Sequence, residues 1–408
     1  MTANQDIFDA ALRHQVAVRR YSATLLRRMM ALLEDADRSL VEHLRLKLAR
    51  AMGATDTTAR LEALIVEMRA MRAAIADNLE ALARGELIDF SKLEAEWEQS
   101  IITSAVPVEL VLAAPSLDRL RAIVESEPFQ GRFLADWFSS LKRTDQERIE
   151  QALRLGMANG ETLDDIVRRV VGTRANKYAD GILAMNRRNA EAIMRTAINH
   201  VSNAARGAVW DANSDIILAL RWTATLDGRT SAVCRARDGD LAMVGDNKLP
   251  PGATALNPRE ARPPAHVGCR STMVAVLSPD GVVGERPFVR DARTRDAREV
   301  DFRADAKARA GDAWRTMSEA ERRAAVSRLR SAWAAENIGQ LPAATTYQEW
   351  MARQPRAFQD EVLGVAKARL FRDGKLTLDD FVDRSGRELT LDELRRRFPN
   401  AFEGGGIT

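Results

Sequence analysis

Cysteine and histidine are scarce in this 408-residue chain: there are two of the first and four of the second, His14, His43, His200 and His266. Two cysteines cannot make a disulfide framework, and four histidines leave few places for metal chemistry. Long apolar runs are missing too. No stretch approaches the roughly 18 apolar residues that cross a bilayer, and the opening MTANQDIFDA lacks the basic-then-apolar pattern of an export signal. The expectation is a chain that folds in a cytoplasm and has no membrane partner. A charge of one sign is also absent, since 61 basic side chains against 58 acidic ones leave a formal net charge of only +3. Any nucleic-acid-binding face would have to be local. Neither a Gly-x-x-x-x-Gly-Lys loop, a Gly-x-Ser-x-Gly elbow, a dinucleotide fingerprint nor a His-Glu-x-x-His pair occurs, which removes the common routes to enzymatic chemistry.

What the chain has is helical periodicity. Its length allows two or three domains, and 46% hydrophobic residues can fill their cores. Apolar residues recur every three or four positions as far as about Val170. Leu61, Leu64, Ile65, Met68, Met71, Ile75 and Leu79 make one such stripe, which either packs within its own bundle or forms an intermolecular coiled coil. Pro107 and Pro115 interrupt the pattern, and a helical block follows from Leu117 to Val171, with Gly156 and Gly160 as helix punctuation. A long helix is predicted over Ala184 to Ala212. Its alanine-rich side suits close packing, while Arg195, Asn199, Asn203 and Arg206 form a polar row that is either solvated or bonded to a following loop.

Strand signals then replace helix signals. Ala219 to Thr225 and Ser271 to Leu277 read as two strands enclosing a long loop with Gly239, Gly245, Pro250-Pro251-Gly252 and Pro263-Pro264. After Pro279-Asp280-Gly281 the densely charged RDARTRDAREVDFRADAKARA suits a solvated linker or exposed helix better than a core. The last unit is helical again. Leu329, Trp333, Trp350, Phe358, Leu363, Val365, Leu370 and Phe371 could supply its core, Arg-Asp-Gly-Lys at 372–375 marks a turn, and the Gly-rich end should be loose. The expected fold is mainly α within an α+β class: helical bundle units and a small antiparallel sheet carrying a long loop insertion. Its expected divisions are 1–115, 116–280, a charged linker at 281–317, and 318–408.

One constellation carries chemistry. Both cysteines and one histidine, Cys234, His266 and Cys269, lie in the loop region. His-x-x-Cys has the spacing of a zinc knuckle, with Gly268 permitting the bend, and a tetrahedral structural zinc would need a fourth ligand. Asp227 is the leading candidate for it, with Asp238, Asp240 or His200 as substitutes. The alternatives are two buried thiols packed beside a histidine, or a disulfide.

The same residues carry a family resemblance. Trp222-Thr223-Ala224-Thr225-Leu226-Asp227-Gly228-Arg229-Thr230-Ser231, then Cys234, Asp238-Gly239, Arg262-Pro263-Pro264-Ala265-His266 and Cys269-Arg270-Ser271 resemble, in that order, the core signature of the phage Mu F-like head morphogenesis proteins. Arg195-Thr196 with Asn199 and Asn203 resembles the helix that precedes the signature, although Ala197 stands where an acidic residue is expected. Tyr347 to Trp350 and Leu363 to Leu391 resemble the tail unit of longer members. The resemblance implies a non-enzymatic minor capsid protein of a tailed bacteriophage, held inside the head at the portal vertex and contributing to procapsid assembly, DNA packaging or ejection. Expected partners are the portal protein and a major capsid or scaffold protein, with packaged DNA as a further one. The alternatives are a metal-dependent enzyme or toxin-like effector built on the Cys/His cluster, and a DNA-binding protein using the arginines of 290–309.

Overall fold

The computed structural model describes residues 2–52, 57–106, 110–250, 253–256, 262–279, 282 and 284–405. Among these the chain runs α1 (Ala3–Met52), α2 (Thr57–Ala105), α3 (Leu117–Glu125), α4 (Leu134–Ala158), α5 (Leu163–Val171), α6 (Ile182–Ala212), β1 (Ala219–Thr223), β2 (Leu226–Asp227), α7 (Ala232–Ala236), β3 (Leu241–Met243), β4 (Thr272–Val276) and β5 (Glu285–Val289). It continues through α8 (Arg295–Ala310), α9 (Ala313–Thr316), α10 (Glu319–Asn337), β6 (Ile338–Pro342), α11 (Tyr347–Ala352), α12 (Arg356–Leu363), α13 (Val365–Arg372), α14 (Leu391–Arg397) and α15 (Pro399–Gly405). The protein is mainly α, of the α+β class. No described helix is long and apolar enough to cross a membrane. Pro107, Pro251, Gly252, Asp280, Gly281 and the end from Gly406 to Thr408 lie outside the described residues.

Residues 13–213 and 266–269 make one compact unit. Its helices form a bundle because each carries an apolar stripe with a partner. Leu61, Leu64, Ile65 and Met68 of α2 pack with Ile149 and Leu153 of α4 and Ile166 and Val170 of α5, while Leu79, Leu87 and Phe90 join a second core with Phe138, Met194, Ile198 and Val201. The α2 stripe is thus covered within its own bundle. Charge is buried here as well: the Arg72 guanidinium reaches Asp37 at 2.7 Å and also bonds Asp145, which in turn accepts from Asn186. Burial pushes the Asp145 carboxyl up, against the pull of Arg72. Gly160, at φ +64°, does follow a helix end, but Gly156 lies inside α4. A Cβ there would sit 2.4 Å from Ile166 Cγ1, so Gly156 is a packing glycine that lets α5 approach.

Residues 1–12, 214–265 and 270–408 make the other unit. β1 and β4 pair antiparallel, from Ala219 opposite Val276 to Thr223 opposite Thr272, and β3, from within the insertion, adds to the other edge of β1. The first turn of α1 docks on this sheet: Asn4 accepts from Leu277 N at 2.7 Å and donates to Ser278 O at 2.9 Å. A second sheet has β5 in its centre, parallel to β2 and antiparallel to β6. The stretch 281–317, expected as a charged linker, therefore holds β5 and α8. Phe302 and Ala306 of α8 pack with Val326, Trp314, Leu329 and Trp333, and that small apolar seam orders a helix whose other faces are charged. The final core gathers Tyr347, Trp350, Phe358, Leu363, Leu370, Phe381 and Leu394 around Leu226. Val365, expected in that core, is 57% exposed at the start of α13.

Candidate functional site

The His-x-x-Cys segment is a closed turn. Cys269 N donates to His266 O at 3.1 Å, and Gly268 takes φ +74°, a conformation that suits glycine. Its anchor is on α6, where the Thr196 hydroxyl accepts from Gly268 N at 2.9 Å and donates to Ala192 O at 2.7 Å. This gives the Arg195-Thr196 pair of the signature an observed role, carried by Thr196 alone, since Arg195 is exposed and pairs with Glu191. The His266 Nδ1 lies 2.9 Å from the Val267 carbonyl. Cys269 is buried, His266 half-buried, and Cys234, on α7 after Ser231, is buried as well. The Cys269 sulfur and a ring nitrogen of His266 lie within 4.8 Å of each other. Both cysteines are thiols. Phe129, Trp137, Ile193 and Val267 wall an apolar cleft of about 260 Å³ beside the turn.

The aspartates weighed as a fourth ligand are engaged elsewhere. The Arg270 guanidinium forks onto the two oxygens of Asp227 at 2.5 and 2.7 Å, and its Oδ1 also accepts from Arg229 N at 3.0 Å. Asp238 is more deeply committed. It accepts from Ala224 N and Tyr347 N, each at 2.7 Å, and from the Arg286 guanidinium at 2.8 and 3.2 Å. Arg286, 1% exposed, also donates from Nη2 to Ala224 O at 2.5 Å and from Nη1 to Thr345 O at 2.9 Å. Gly239 follows at φ +97°, where a Cβ would come within 2.8 Å of Thr346 Cγ2. Burial and then the neighbouring Asp379 and Asp238 carboxylates push Asp240 up to about 7. His200 instead stacks on Phe129, ring centroids 5.3 Å apart, and burial pulls its pKa down.

Much of the signature is therefore fastening. The Tyr347 hydroxyl donates to Asp227 O at 2.8 Å, and burial raises its pKa, keeping that proton in place. Sequence reasoning missed Arg286 and Tyr347. An arginine in a short alternating run, Glu-Arg-Pro-Phe-Val, was the available signal for the first.

The polar row of α6 is buried rather than solvated, apart from the exposed Arg195. Arg206, fully buried, pairs with Glu98 of α2 at 2.6 Å and lies between the rings of Trp97 and Trp210. Glu98 also accepts from Trp210 Nε1 at 2.7 Å. Nearby Glu94 accepts from Ser202 Oγ at 2.5 Å and meets His14, which stacks on Trp97 at 3.7 Å.

The segment from mid-α4 through β4 takes in the end of the bundle in one unit and, in the other, a small sheet with an insertion fastened by Asp227 and Asp238. Residues 147–274 match the model of the Phage Mu protein F like proteins. The matched segment contains Cys234, His266, Cys269, Asp227, Asp238 and Thr196, but neither α1, α2 nor the last helical unit. The segment is similar to phage Mu protein F, and the matched family is one of phage head morphogenesis, typically structural in role. No curated protein and no solved structure matches the chain.

Proposed function

We propose that this protein is a minor head protein of a tailed bacteriophage, housed inside the head at the portal vertex and acting in procapsid assembly, DNA packaging or ejection. The observation that carries the reading is the Phage Mu F-like match over residues 147–274. Its partners in this reading are the portal protein and a major capsid or scaffold protein, and its place is the virion after assembly in the host cytoplasm. The commitment of Asp227 and Asp238 to arginine forks supports a structural role, because a hydrolytic site would want such carboxylates available to a reacting water. A DNA-clamping role for 290–309 draws little support. Arg293 pairs with Asp291 and Asp301, and Arg298 stacks on Trp333 at 4.5 Å, so much of that basic charge is used internally.

Quantitative mass spectrometry of purified procapsids and virions tests the reading. The protein should be present in both, at far fewer copies than the major shell subunit. Recovery only from lysate, never from particles, would overturn it.

A further inference from the structure

We propose that the cleft between α8 and α10 binds a short acidic segment of another protein, whose carboxylates seat on Arg303 and Arg323. The inference stands on these side chains alone and is independent of the head assignment. Both helices belong to the unit that contains residues 270–408. Four guanidiniums, of Arg303 on α8 and of Arg322, Arg323 and Arg330 on α10, line a cleft of about 730 Å³, a volume that suits a short peptide. Among the described residues only one of the four is neutralised. Arg330 bonds both oxygens of Glu299, at 2.7 and 2.8 Å, whereas no described carboxylate pairs with Arg303, Arg322 or Arg323. Arg322 is fixed by carbonyls instead, donating to Trp314 O at 3.1 Å and to Arg315 O at 3.2 Å, with its guanidinium over the Trp314 ring. Its charge stays available. The internal contacts that engage Arg293 and Arg298 stop short of Arg303, which is exposed further along α8.

The lining favours a peptide over a nucleic-acid backbone. Glu299 shows how a carboxylate seats here, both its oxygens taking one Arg330 nitrogen, and arginine holds carboxylates through such charge-assisted bonds. Glu299 and Glu319 stand in the same walls. A phosphodiester strand, charged at every nucleotide, would run against them, while a peptide can space its acids to face Arg303 and Arg323 and avoid both. The lining is also partly apolar. Val326, 7% exposed, and the half-buried Trp314 give an apolar residue between two acidic ones a surface to rest on. Clustered arginines that read an acidic motif are a recurring mode of peptide recognition. Exposed charge pairs are individually weak, so the binding should be modest and should fade as salt is added.

The test titrates the full chain into a short fluorescein-labelled peptide of glutamates interrupted by leucine, at low salt, and follows its anisotropy. Binding should saturate, and Arg303→Gln combined with Arg323→Gln should weaken it roughly tenfold, each exposed pair contributing a few-fold. Arg309→Gln combined with Arg328→Gln removes the same charge from the same two helices outside the cleft, and should change the affinity by less than about twofold. All four arginines are exposed, and circular dichroism checks that the variants fold. If the cleft variant does not, labelling of the wild-type chain decides: a peptide with photoreactive benzoylphenylalanine in place of leucine should mark residues of α8, α9 or α10. Absence of binding at low salt, equal weakening by the two double variants, or labelling confined to other elements overturns the site. So does duplex DNA that displaces the peptide and itself loses binding in the cleft variant, because the cleft would then be a phosphate site.

Discussion

Asp238→Asn is the substitution that most sharply separates a fastening role from a ligand role for the signature carboxylates. Asparagine keeps the shape and one acceptor for Ala224 N or Tyr347 N, but it removes the charge opposite Arg286, a guanidinium only 1% exposed. Breaking a buried pair by removing one partner costs about 3 to 5 kcal/mol, because the remaining charge is left without compensation away from water. Asp227→Asn is the internal control. Its partner Arg270 keeps 23% of its side chain exposed, so water can replace part of the lost interaction and the cost should be about 1 to 2 kcal/mol. For a cooperative unit of roughly 150–250 residues, each kcal/mol moves the thermal midpoint by about 2 to 4 °C. Circular dichroism melts of the full chain should therefore show Asp238→Asn lowered by roughly 6 to 20 °C and Asp227→Asn by roughly 2 to 8 °C. An Asp238→Asn variant that melts with the wild type, or no lower than Asp227→Asn, would refute the reasoning.

Asp240, pushed up to about 7 by burial and by Asp379 and Asp238, binds a proton in the folded state that the unfolded chain, with an ordinary carboxyl near 4, has released. Stability should therefore fall as pH rises from about 4 to 7, and Asp240→Asn should recover roughly 1 to 2 kcal/mol at pH 8 but little at pH 4, a figure discounted for the partial exposure of this group; equal effects at both pH values in melts would exclude this cause. Gly156→Ala should destabilise by about 1 to 3 kcal/mol, outweighing the roughly 1 kcal/mol that alanine ordinarily gains inside a helix, because its methyl would press on the fully buried Ile166. In the Ile166→Ala background the same change should turn neutral or favourable, and a stabilising Gly156→Ala in the wild-type chain would contradict the packing argument.

What could be read from the residues follows the range of the interactions involved. Helix α6 and the β1–β4 pair were legible because periodicity is local: the alanine-rich side of 184–212 and the β-branched run of 271–277 announce their partners' faces without naming the partners. Strands β2, β5 and β6 were not. Arg286 is the second residue of β5 and Pro287 its middle one, and β6 alternates between exposed and half-buried residues, so neither has an apolar face to declare it. The charged run 290–310 could be read as a linker or an exposed helix for the same reason, its helix resting on only Phe302 and Ala306. At the site, the His-x-x-Cys turn was legible from spacing and from Gly268, whereas the competitors for Asp227 and Asp238 were not. Arg270 lies 43 residues from Asp227 and Arg286 lies 48 from Asp238.

The polar row of α6 shows why such pairings escape a reading by helix face. On periodicity, Asn199, Asn203 and Arg206 belong to the side opposite the alanines, and that side is ordinarily wet. Arg206 and the neighbouring Ser202 are met there by Glu98 and Glu94, two charged residues placed one turn apart on α2, more than a hundred positions earlier. From α2 alone they look equally solvent-facing. Only the two helices together turn four polar side chains into bonds: Glu94 with Ser202 and Glu98 with Arg206, the latter sandwiched by Trp97 and Trp210. A charge on a helix is thus a weak sign of exposure when a second helix offers its complement at the same spacing. The aromatic neighbours strengthen the inference, because tryptophan beside a charged residue on the supposedly wet side removes water and strengthens each bond it shields. Trp97 next to Glu98 and Trp210 four residues after Arg206 are the local marks that this face was built to be covered.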